Sequence, residues 1–258
     1  MRRVIFNQKG GVGKSTITCN LAAIAAAEGK STLVVDLDIQ GNSTHYLLGS
    51  KIEDPEETLA KFFRETLSIN PFAKNQKSSA RELIQSTPFP NLHLLASHPE
   101  MEPLQSRLES RYKIYKLREA LEQLNDFDYI FIDTPPILNF YSRSALISAE
   151  KCLIPFDCDA FSRDALYKLL EAVTEVKLDH NPDLEVEGVV VNQFQSRARL
   201  PQQLVEELTQ EGHPVLSTRI SPSVKVRESH SQAKPLVHYA PEHKLTEEFR
   251  ALYQELHG

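Results

Sequence analysis

Short apolar runs alternate with longer amphipathic stretches along this chain of 258 residues. Several of the short runs are apolar at every position, such as Leu33-Val34-Val35 and Val189-Val190-Val191. Runs of this kind are typical of strands that are buried on both faces. The longer stretches between them have the spacing of helices. This alternation favours parallel βαβ units, and it predicts an α/β fold with a three-layer, doubly wound, mostly parallel sheet.

The pattern also gives approximate bounds for each element. Strands are predicted at 3–6, 32–36, 92–95, 129–132, 152–156, 188–191 and 215–220, and helices near 16–28, 57–67, 102–124, 162–178, 201–211 and 243–256. The polar region 49–90 is interpreted as a surface excursion with short helices. Since no linker or repeat divides the chain, we expect a single domain over 1–258.

A glycine-rich segment links the first predicted strand to the first predicted helix. It reads Lys9-Gly10-Gly11-Val12-Gly13-Lys14-Ser15-Thr16. Glycines let successive backbone N–H groups turn toward one anion, and the helix N-terminus adds a partial positive charge. In such a phosphate-binding loop, or P-loop, the lysine (here Lys14) reaches the β- and γ-phosphates and the hydroxyl of Ser15 holds Mg²⁺. We therefore expect residues 9–16 to bind a nucleotide.

The loop departs from the usual pattern at its first position. That pattern has a glycine six residues before the lysine, whereas this chain has Gln8 there, followed by a second lysine, Lys9. A lysine at the mouth of the loop can point away from its own loop. It can therefore reach a nucleotide that is bound by a second subunit.

Carboxylates follow two of the predicted strands. Asp36 and Asp38 end the second strand, and Asp133 ends the strand at 129–132. Ligands of open α/β sheets bind at the carboxyl ends of the strands. We therefore expect Asp38 to polarise an attacking water or to hold the metal through water, and Asp133 to be the carboxylate on the metal side. Helix capping is the alternative role for Asp38, and it is the expected role for Asn42.

These motifs resemble the ParA family of partition ATPases, a deviant Walker A group that also includes MinD-like proteins. The resemblance rests on the loop at 9–15, on Asp36-x-Asp38-x-Gln40-Gly-Asn and on 127–136, and it extends through 189–192, Lys225-x-x-Glu228, Lys234-Pro235 and a final helix. It implies a homodimer that forms with ATP, slow Mg²⁺-dependent hydrolysis and the positioning of cargo on the nucleoid. It also implies a ParB-like adaptor protein that stimulates hydrolysis.

The resemblance implies a role for each matching residue. Lys9 matches the signature lysine that reaches the partner's nucleotide, and Asp38 matches the water-activating carboxylate, so Lys9, Lys14 and Asp38 are the expected catalytic residues. Ser15 is expected to bind Mg²⁺ directly and Asp133 through water. Asn192, at a strand end, matches the amide that recognises adenine, and a turn cap is its alternative role.

A local group of cations is the candidate surface for non-specific DNA binding. Between 193 and 235 there are six Lys or Arg and four acidic residues, in a chain of net charge −6. Sequence-independent binding needs only a few cations on one face, and an ordinary solvated surface is the alternative. One arginine of the family's Ile-Pro-Arg-Asn-Val-Arg segment is missing here, and the other is a lysine. The candidates are Arg197, Arg199, Lys225 and Arg227.

The remaining composition bears on location. Three cysteines, Cys19, Cys152 and Cys158, are too few and too irregular for a disulfide framework and suit a reducing cytosol. No apolar run approaches the length of a membrane span, and the last helix lacks the basic face of a membrane anchor. We expect a cytoplasmic, nucleoid-associated protein that does not bind membranes. His230, His238 and His243 lack metal-like spacing and are expected to lie at the surface.

Three other functions stay open at this point. The first is a MinD-like, membrane-associated regulator of the division site, which the last helix disfavours. The second is a binding module in which the nucleotide is only a structural clamp. The third is an ATPase that positions a cargo other than DNA, such as a chemoreceptor cluster or a metabolic body.

Overall fold

The computed structural model describes residues 1–68, 79–157, 163–195 and 199–257. Eight strands form one sheet at its centre. They are β1 (Arg2–Ile5), β2 (Thr32–Asp36), β3 (Ile84–Ser86), β4 (Leu92–Leu95), β5 (Tyr129–Asp133), β6 (Lys151–Asp157), β7 (Glu185–Asn192) and β8 (Val215–Arg219). Their order is β3-β4-β2-β5-β1-β6-β7-β8. Only β3, at one edge, runs antiparallel to its neighbour among these strands, so the predicted mostly parallel sheet is confirmed.

Eleven α-helices are described, and they cover both faces of the sheet. They are α1 (Lys14–Ala27), α2 (Asn42–Leu48), α3 (Leu59–Thr66), α4 (Gln105–Ser110), α5 (Lys116–Leu121), α6 (Phe140–Ser148), α7 (Arg163–Asp179), α8 (Arg199–Gln210), α9 (Val224–Ser231), α10 (Leu236–Tyr239) and α11 (Lys244–Glu255). Short 3₁₀ helices lie at Pro55–Glu57, Ala80–Leu83 and Pro99–Leu104.

Alternate strand residues enter two separate apolar cores, which makes the architecture three-layered. Val34 and Phe131 pack with α1, α2, α10 and α11 on one face. Val35 and Ile132, the next residues along, pack with α3 to α7 on the other face. Because successive side chains of a strand point to opposite sides, fully apolar strands are needed here. The three-layer prediction from the apolar runs is confirmed.

The predicted helix at 102–124 is wrong as one element. The chain forms a 3₁₀ helix, then α4 and α5, and Tyr112 between the two α-helices has a left-handed φ of 52°. That conformation ends a right-handed helix. The pattern also missed β3, α2, α6, α9 and α10. Most of α6 is buried on all sides, so it lacks the polar face by which a helix is found in sequence.

The region 49–90 is more than a surface excursion in its described part. Leu59 and Phe63 of α3 are fully buried in the core, and β3 adds an edge strand to the sheet through its pairing with β4. An aromatic cluster fixes α3 further, because the Phe63 ring lies edge-on to Tyr141 of α6 with centroids 5.2 Å apart. This part of the chain therefore belongs to the same core as the sheet.

The last helix, which lacks the basic face of a membrane anchor, docks on the core. Leu245, Phe249 and Leu252 of α11 are buried, and the helix packs against α1 and β8. Glu255 strengthens this contact because its carboxylate accepts hydrogen bonds from the backbone N–H groups of Ser217 and Thr218. Within the described ranges, no helix combines the length and the apolar character that a membrane crossing requires.

Candidate nucleotide site

The glycine-rich loop leaves the carboxyl end of β1 through a turn that Asn7 holds. The buried Asn7 amide donates to the Pro155 carbonyl over 2.7 Å, and its oxygen accepts the N–H of Lys9 at 2.9 Å. The turn places the loop at the carboxyl edge of the sheet, next to the ends of β5 and β6. This is the edge where ligands of parallel α/β sheets bind.

Two glycines of the loop have backbone conformations that favour glycine. Gly11 and Gly13 have φ values of 78° and 93°, and Gly13 directly precedes α1. A Cβ atom on Gly13 would lie 2.3 Å from the side-chain nitrogen of Asn192. Glycine at this position therefore lets the end of β7 pack closely against the loop. The loop forms a cradle in front of the α1 N-terminus, where the positive end of the helix dipole favours a phosphate.

Lys14 lies inside this cradle among groups of opposite charge. Its ammonium donates to the Lys9 carbonyl at 2.8 Å, and the residue is only 7% exposed. Burial lowers the pKa of Lys14, and the carboxylates of Asp133 and Asp38 oppose that shift. The loop lysine and the two strand-end carboxylates thus meet in one site, as the sequence predicted.

Asp36 and Asp133 are direct neighbours, because β2 and β5 are adjacent in the sheet and the two residues are register partners. Both are fully buried. Asp133 accepts hydrogen bonds from the Ser43 hydroxyl at 2.7 Å and from Ser15. Burial nevertheless raises the pKa of Asp133 to about 6. Burial, together with the charge of Asp133, raises the pKa of Asp36 well above its ordinary value.

Asp36 anchors the start of α2, a role that the sequence did not reveal. Its carboxylate accepts the backbone N–H of Thr44 at 2.7 Å and the Thr44 hydroxyl at 2.8 Å. The prediction that Asn42 caps this helix is wrong: Asn42 is its first residue, and Gly41 before it has a φ of 66°. Ser43 and Thr44 are the site residues that sequence reasoning missed, and their position directly after the Gly41-Asn42 pair was the available signal.

Asp38 lies beyond the end of β2, in a turn. Two residues stabilise this turn through hydrogen bonds to the backbone carbonyl of Asp38. That carbonyl accepts the hydroxyl of Ser97 and the N–H of Gly41. The carboxylate accepts the N–H of Gln40 at 3.0 Å, so it does not cap α2. Burial raises the pKa of Asp38, while the bond from Gln40 and the charge of Lys14 favour the ionised form.

Asn192 borders a cavity of about 560 Å³ beside the loop. Its amide nitrogen donates to the Val12 carbonyl at 2.9 Å, which ties the end of β7 to the loop. Thr16, Pro222 and Arg227 also line this cavity. The volume suits a small-molecule ligand, and the cavity adjoins the cradle in front of α1. Recognition of adenine by Asn192 stays a prediction.

Three of the candidate DNA-binding residues are described, and they lie on two helices. Arg199 begins α8 and is exposed. Lys225 of α9 donates to Glu228 at 2.7 Å, and this bond raises the pKa of Lys225. Arg227, also on α9, lines the cavity beside the loop. Arg197 lies outside the described residues, as does Cys158.

The histidines are not all at the surface. His238 is exposed, and the ring of His243 accepts the N–H of Leu245 at the start of α11. His230 is wrong as a surface residue, because its ring stacks on Tyr46 and one ring nitrogen lies 3.0 Å from the Thr16 hydroxyl oxygen.

The residues around Ser15 fit a Mg²⁺ ion that is bound together with phosphate. Within the described part of the chain, no group of three or more His, Cys, Asp or Glu side chains could hold a metal ion. Mg²⁺ usually takes only one or two protein ligands and completes its shell with phosphate oxygens and water. Ser15 would be such a ligand, and the buried Asp133 that accepts its hydrogen bond would hold a water of the shell.

The fold and this site define a P-loop ATPase that has a second lysine in its loop. A family model described as an AAA domain matches residues 3–186. The chain is 34% identical to the chromosome partitioning protein ParA of Myxococcus xanthus, over 98% of this chain and 86% of that protein. It is 33% identical to the sporulation initiation inhibitor protein Soj of Bacillus subtilis, over 98% and 96% of the two chains. The chain therefore belongs to the ParA family.

Solved structures agree with this assignment at the level of the fold. Apo McdA of Cyanothece superimposes with a TM-score of 0.84 at 22% identity and covers 100% of this chain and 99% of its own. The cell division ATPase MinD of Pyrococcus furiosus gives a TM-score of 0.77 at 25% identity, over 99% and 98% of the two chains. As a member of the ParA family, the chain is an ATPase that takes ATP and Mg²⁺.

Without nucleotide and Mg²⁺, Asp133→Asn should stabilise the folded protein at pH 8. The folded pKa of about 6 lies above the ordinary value of 3.8, so the native state binds this proton more tightly than the unfolded chain does. Its stability therefore falls as the pH rises through this range, by about 3 kcal/mol in total. Urea unfolding should show the variant to be more stable than the wild type at pH 8, and the difference between their free energies of unfolding should shrink toward pH 4. A difference that does not change with pH would contradict the role of the raised pKa of Asp133.

Proposed function

We propose that this chain is an ATP-dependent, dimerising switch that segregates or positions DNA or another intracellular cargo. The observation that carries the proposal is the meeting of Lys14, Asp38 and Asp133 at a phosphate loop that contains a second lysine, Lys9. Relatives that are named chromosome partitioning proteins, at 34% and 31% identity, support this class of cargo. The proposed location is the cytoplasm, on the nucleoid.

In the proposed reaction, Lys14 and the N–H groups of the loop neutralise the triphosphate. Asp38 orients a water molecule in line with the γ-phosphorus and accepts its proton as the new P–O bond forms. The bond from the γ-phosphorus to the β–γ bridging oxygen breaks, which leaves ADP and phosphate. Mg²⁺, when bound through Ser15 and Asp133, would neutralise charge on the β- and γ-oxygens.

Lys9 is proposed to act on the nucleotide of the partner subunit. Its backbone is held on both sides, because its N–H donates to Asn7 and its carbonyl accepts from Lys14. Gln8 and Gly10 beside it are exposed, so this segment forms the outer rim of the site. A second copy that faces this rim would bring its own Lys9 to the bound ATP, and hydrolysis would then require the dimer.

DNA binding is proposed for the ATP dimer, through Arg197, Arg199, Lys225 and Arg227. Each subunit has few cations in this region, and the bond from Lys225 to Glu228 partly neutralises one of them. Two subunits double the number of cations that face one duplex, and counterion release grows with each phosphate that is neutralised. Binding should therefore need ATP, depend steeply on salt and show little sequence preference.

Charge changes on α8 and α9 should alter DNA affinity in opposite directions. Arg199→Glu combined with Lys225→Glu should weaken binding by about tenfold or more at low salt. Glu228→Gln should strengthen it, because it releases Lys225 from its partner. Arg227 stays unchanged in this test since it lines the nucleotide cavity. The measurement is a gel shift with ATP in an Asp38→Ala background, on two duplexes of unrelated sequence.

Size-exclusion chromatography with ATP is the control, and it should show the same dimer for all these variants. Equal DNA affinity for both charge variants would remove α8 and α9 from the DNA surface. If the Asp38→Ala protein gives no shift at low salt, the DNA proposal fails and a different cargo must be sought.

A ParB-like adaptor that stimulates hydrolysis is the proposed protein partner. Protein held in its ATP form by Asp38→Ala should retain the adaptor in a pull-down, whereas the same variant without ATP should not. Pelleting with liposomes tests the alternative of a membrane-associated regulator, and we expect no pelleting because the apolar side of α11 is buried against the core. Capture of a partner that carries no DNA-binding segment would favour a cargo other than DNA.

A further inference from the structure

His230 of α9 contacts the first turn of α1, the helix that follows the phosphate loop. Its Nε2 atom lies 3.0 Å from the hydroxyl oxygen of Thr16. The ring is stacked on Tyr46 of α2, with centroids 3.7 Å apart and an angle of 13° between the planes. Thr16 also lines the cavity beside the loop. Thr16 therefore borders the ligand space and contacts the histidine ring through its hydroxyl.

Buried hydrogen bonds hold this arrangement from the other side. The hydroxyls of Tyr46 and Ser229 are 2.8 Å apart. Asn20 of α1 donates to the Thr16 carbonyl at 2.8 Å and to the Tyr46 hydroxyl at 3.3 Å, and its oxygen accepts the N–H of Leu236 at 2.7 Å. The start of α1, the helix α2 and the segment from α9 to α10 are thus joined in one polar network.

The direction of the Thr16 hydroxyl depends on which ring nitrogen carries hydrogen. Burial, with a contribution from His45, lowers the pKa of His230 to about 4, so the ring is neutral near pH 7 and has one donor and one acceptor nitrogen. If Nε2 carries the hydrogen, it donates to Thr16, whose own O–H then points into the cavity. If Nδ1 carries it, Thr16 donates to the ring and presents only lone pairs to the cavity. Only the first arrangement attracts phosphate oxygens.

We propose that His230 is a positioning residue that holds the hydroxyl proton of Thr16 toward the phosphates of the bound nucleotide and so links the position of α9 to nucleotide occupancy. The proposal rests on the ATPase activity alone and needs neither DNA nor an adaptor. Since α9 also carries Lys225 and Arg227, this link would transmit the nucleotide state to the proposed DNA-binding surface.

Two variants of His230 separate the hydrogen bond from the ring stack. His230→Phe keeps a flat ring for Tyr46 but has no nitrogen, whereas His230→Gln restores an N–H donor near the position of Nε2. Calorimetric titration with Mg²⁺–ADP and Mg²⁺–ATPγS should show a loss of affinity of about 3- to 10-fold for His230→Phe, the worth of one neutral hydrogen bond. His230→Gln should recover most of it. Wild-type affinity in His230→Phe would overturn the proposal.

Two further measurements distinguish the proposed hydrogen bond of His230 from a merely structural role of its ring. Nitrogen-15 NMR of the wild-type ring should show hydrogen on Nε2 when Mg²⁺–ADP is bound, and hydrogen on Nδ1 would contradict the proposal. Hydrogen exchange should slow in 224–231 when Mg²⁺–ADP binds to the wild type and to His230→Gln, but not to His230→Phe. Exchange that is unchanged by nucleotide in the wild type would refute the link to α9. If His230→Phe does not fold, the two wild-type measurements still decide.

Discussion

Asp38→Ala should retain ATP and Mg²⁺ and reduce turnover by about 100-fold or more. The substitution removes the carboxylate that is proposed to orient the attacking water, and a positioned base contributes about 10²–10⁴-fold. Lys14, Ser15 and Asp133, which are proposed to bind the phosphates and the metal, stay in place. ATP that binds without being hydrolysed should accumulate the dimer. Phosphate release measures turnover, and size-exclusion chromatography with ATP measures the dimer.

Asp38→Asn is the matched control for this prediction. Its amide oxygen still accepts the N–H of Gln40, as the carboxylate does now, so the turn should keep its shape, but the amide is not a base. We expect Asp38→Asn to be as inactive as Asp38→Ala. Normal turnover in either variant, or a monomer with ATP in Asp38→Ala, would remove Asp38 from the catalytic role.

The two loop lysines should separate in function. Lys14→Ala removes charge-assisted hydrogen bonds to phosphate that are worth about 1.5–3 kcal/mol each, so ATP affinity should fall by about 100-fold or more. Lys9→Ala should keep most of the affinity but lose ATP-dependent dimerisation and turnover, because its proposed contact is made to the other subunit. Fluorescent ATP binding and phosphate release measure the two effects separately.

A mixture of the two inactive variants tests the role in trans directly. The Lys9→Ala subunit binds ATP, and the Lys14→Ala subunit still has Lys9 to offer to that nucleotide. Mixing them should recover measurable turnover, whereas each alone stays inactive. An inactive mixture combined with an equal loss of ATP affinity in both single variants would place Lys9 in its own site.

The sequence predicts an element well when neighbouring residues alone determine it, and poorly when distant parts of the chain do. The seven predicted strands were all found, mostly because a strand that is buried on both faces is apolar almost throughout. The exception is β8, which is only partly buried. The edge strand β3 was missed since it has only three residues. The helix at 102–124 was predicted as one, but Tyr112 breaks it, and nothing in a tyrosine signals a left-handed φ. The helix predicted at 57–67 was found as α3. Its place in the core, where Phe63 is fully buried, was not foreseen because the surrounding region 49–90 is polar.

The sequence by itself determined the fold class, the phosphate loop and the acids that end the two strands, because apolar runs, glycines and a strand-to-helix turn act within a few neighbouring residues. Only the tertiary structure decided which distant groups meet. Asp36 and Asp133 are register partners because β5 inserts beside β2, and that order is set by packing across the sheet. Thr16 and His230 touch although 214 positions separate them. Such contacts depend on how helices pack on the sheet, and no local pattern encodes that.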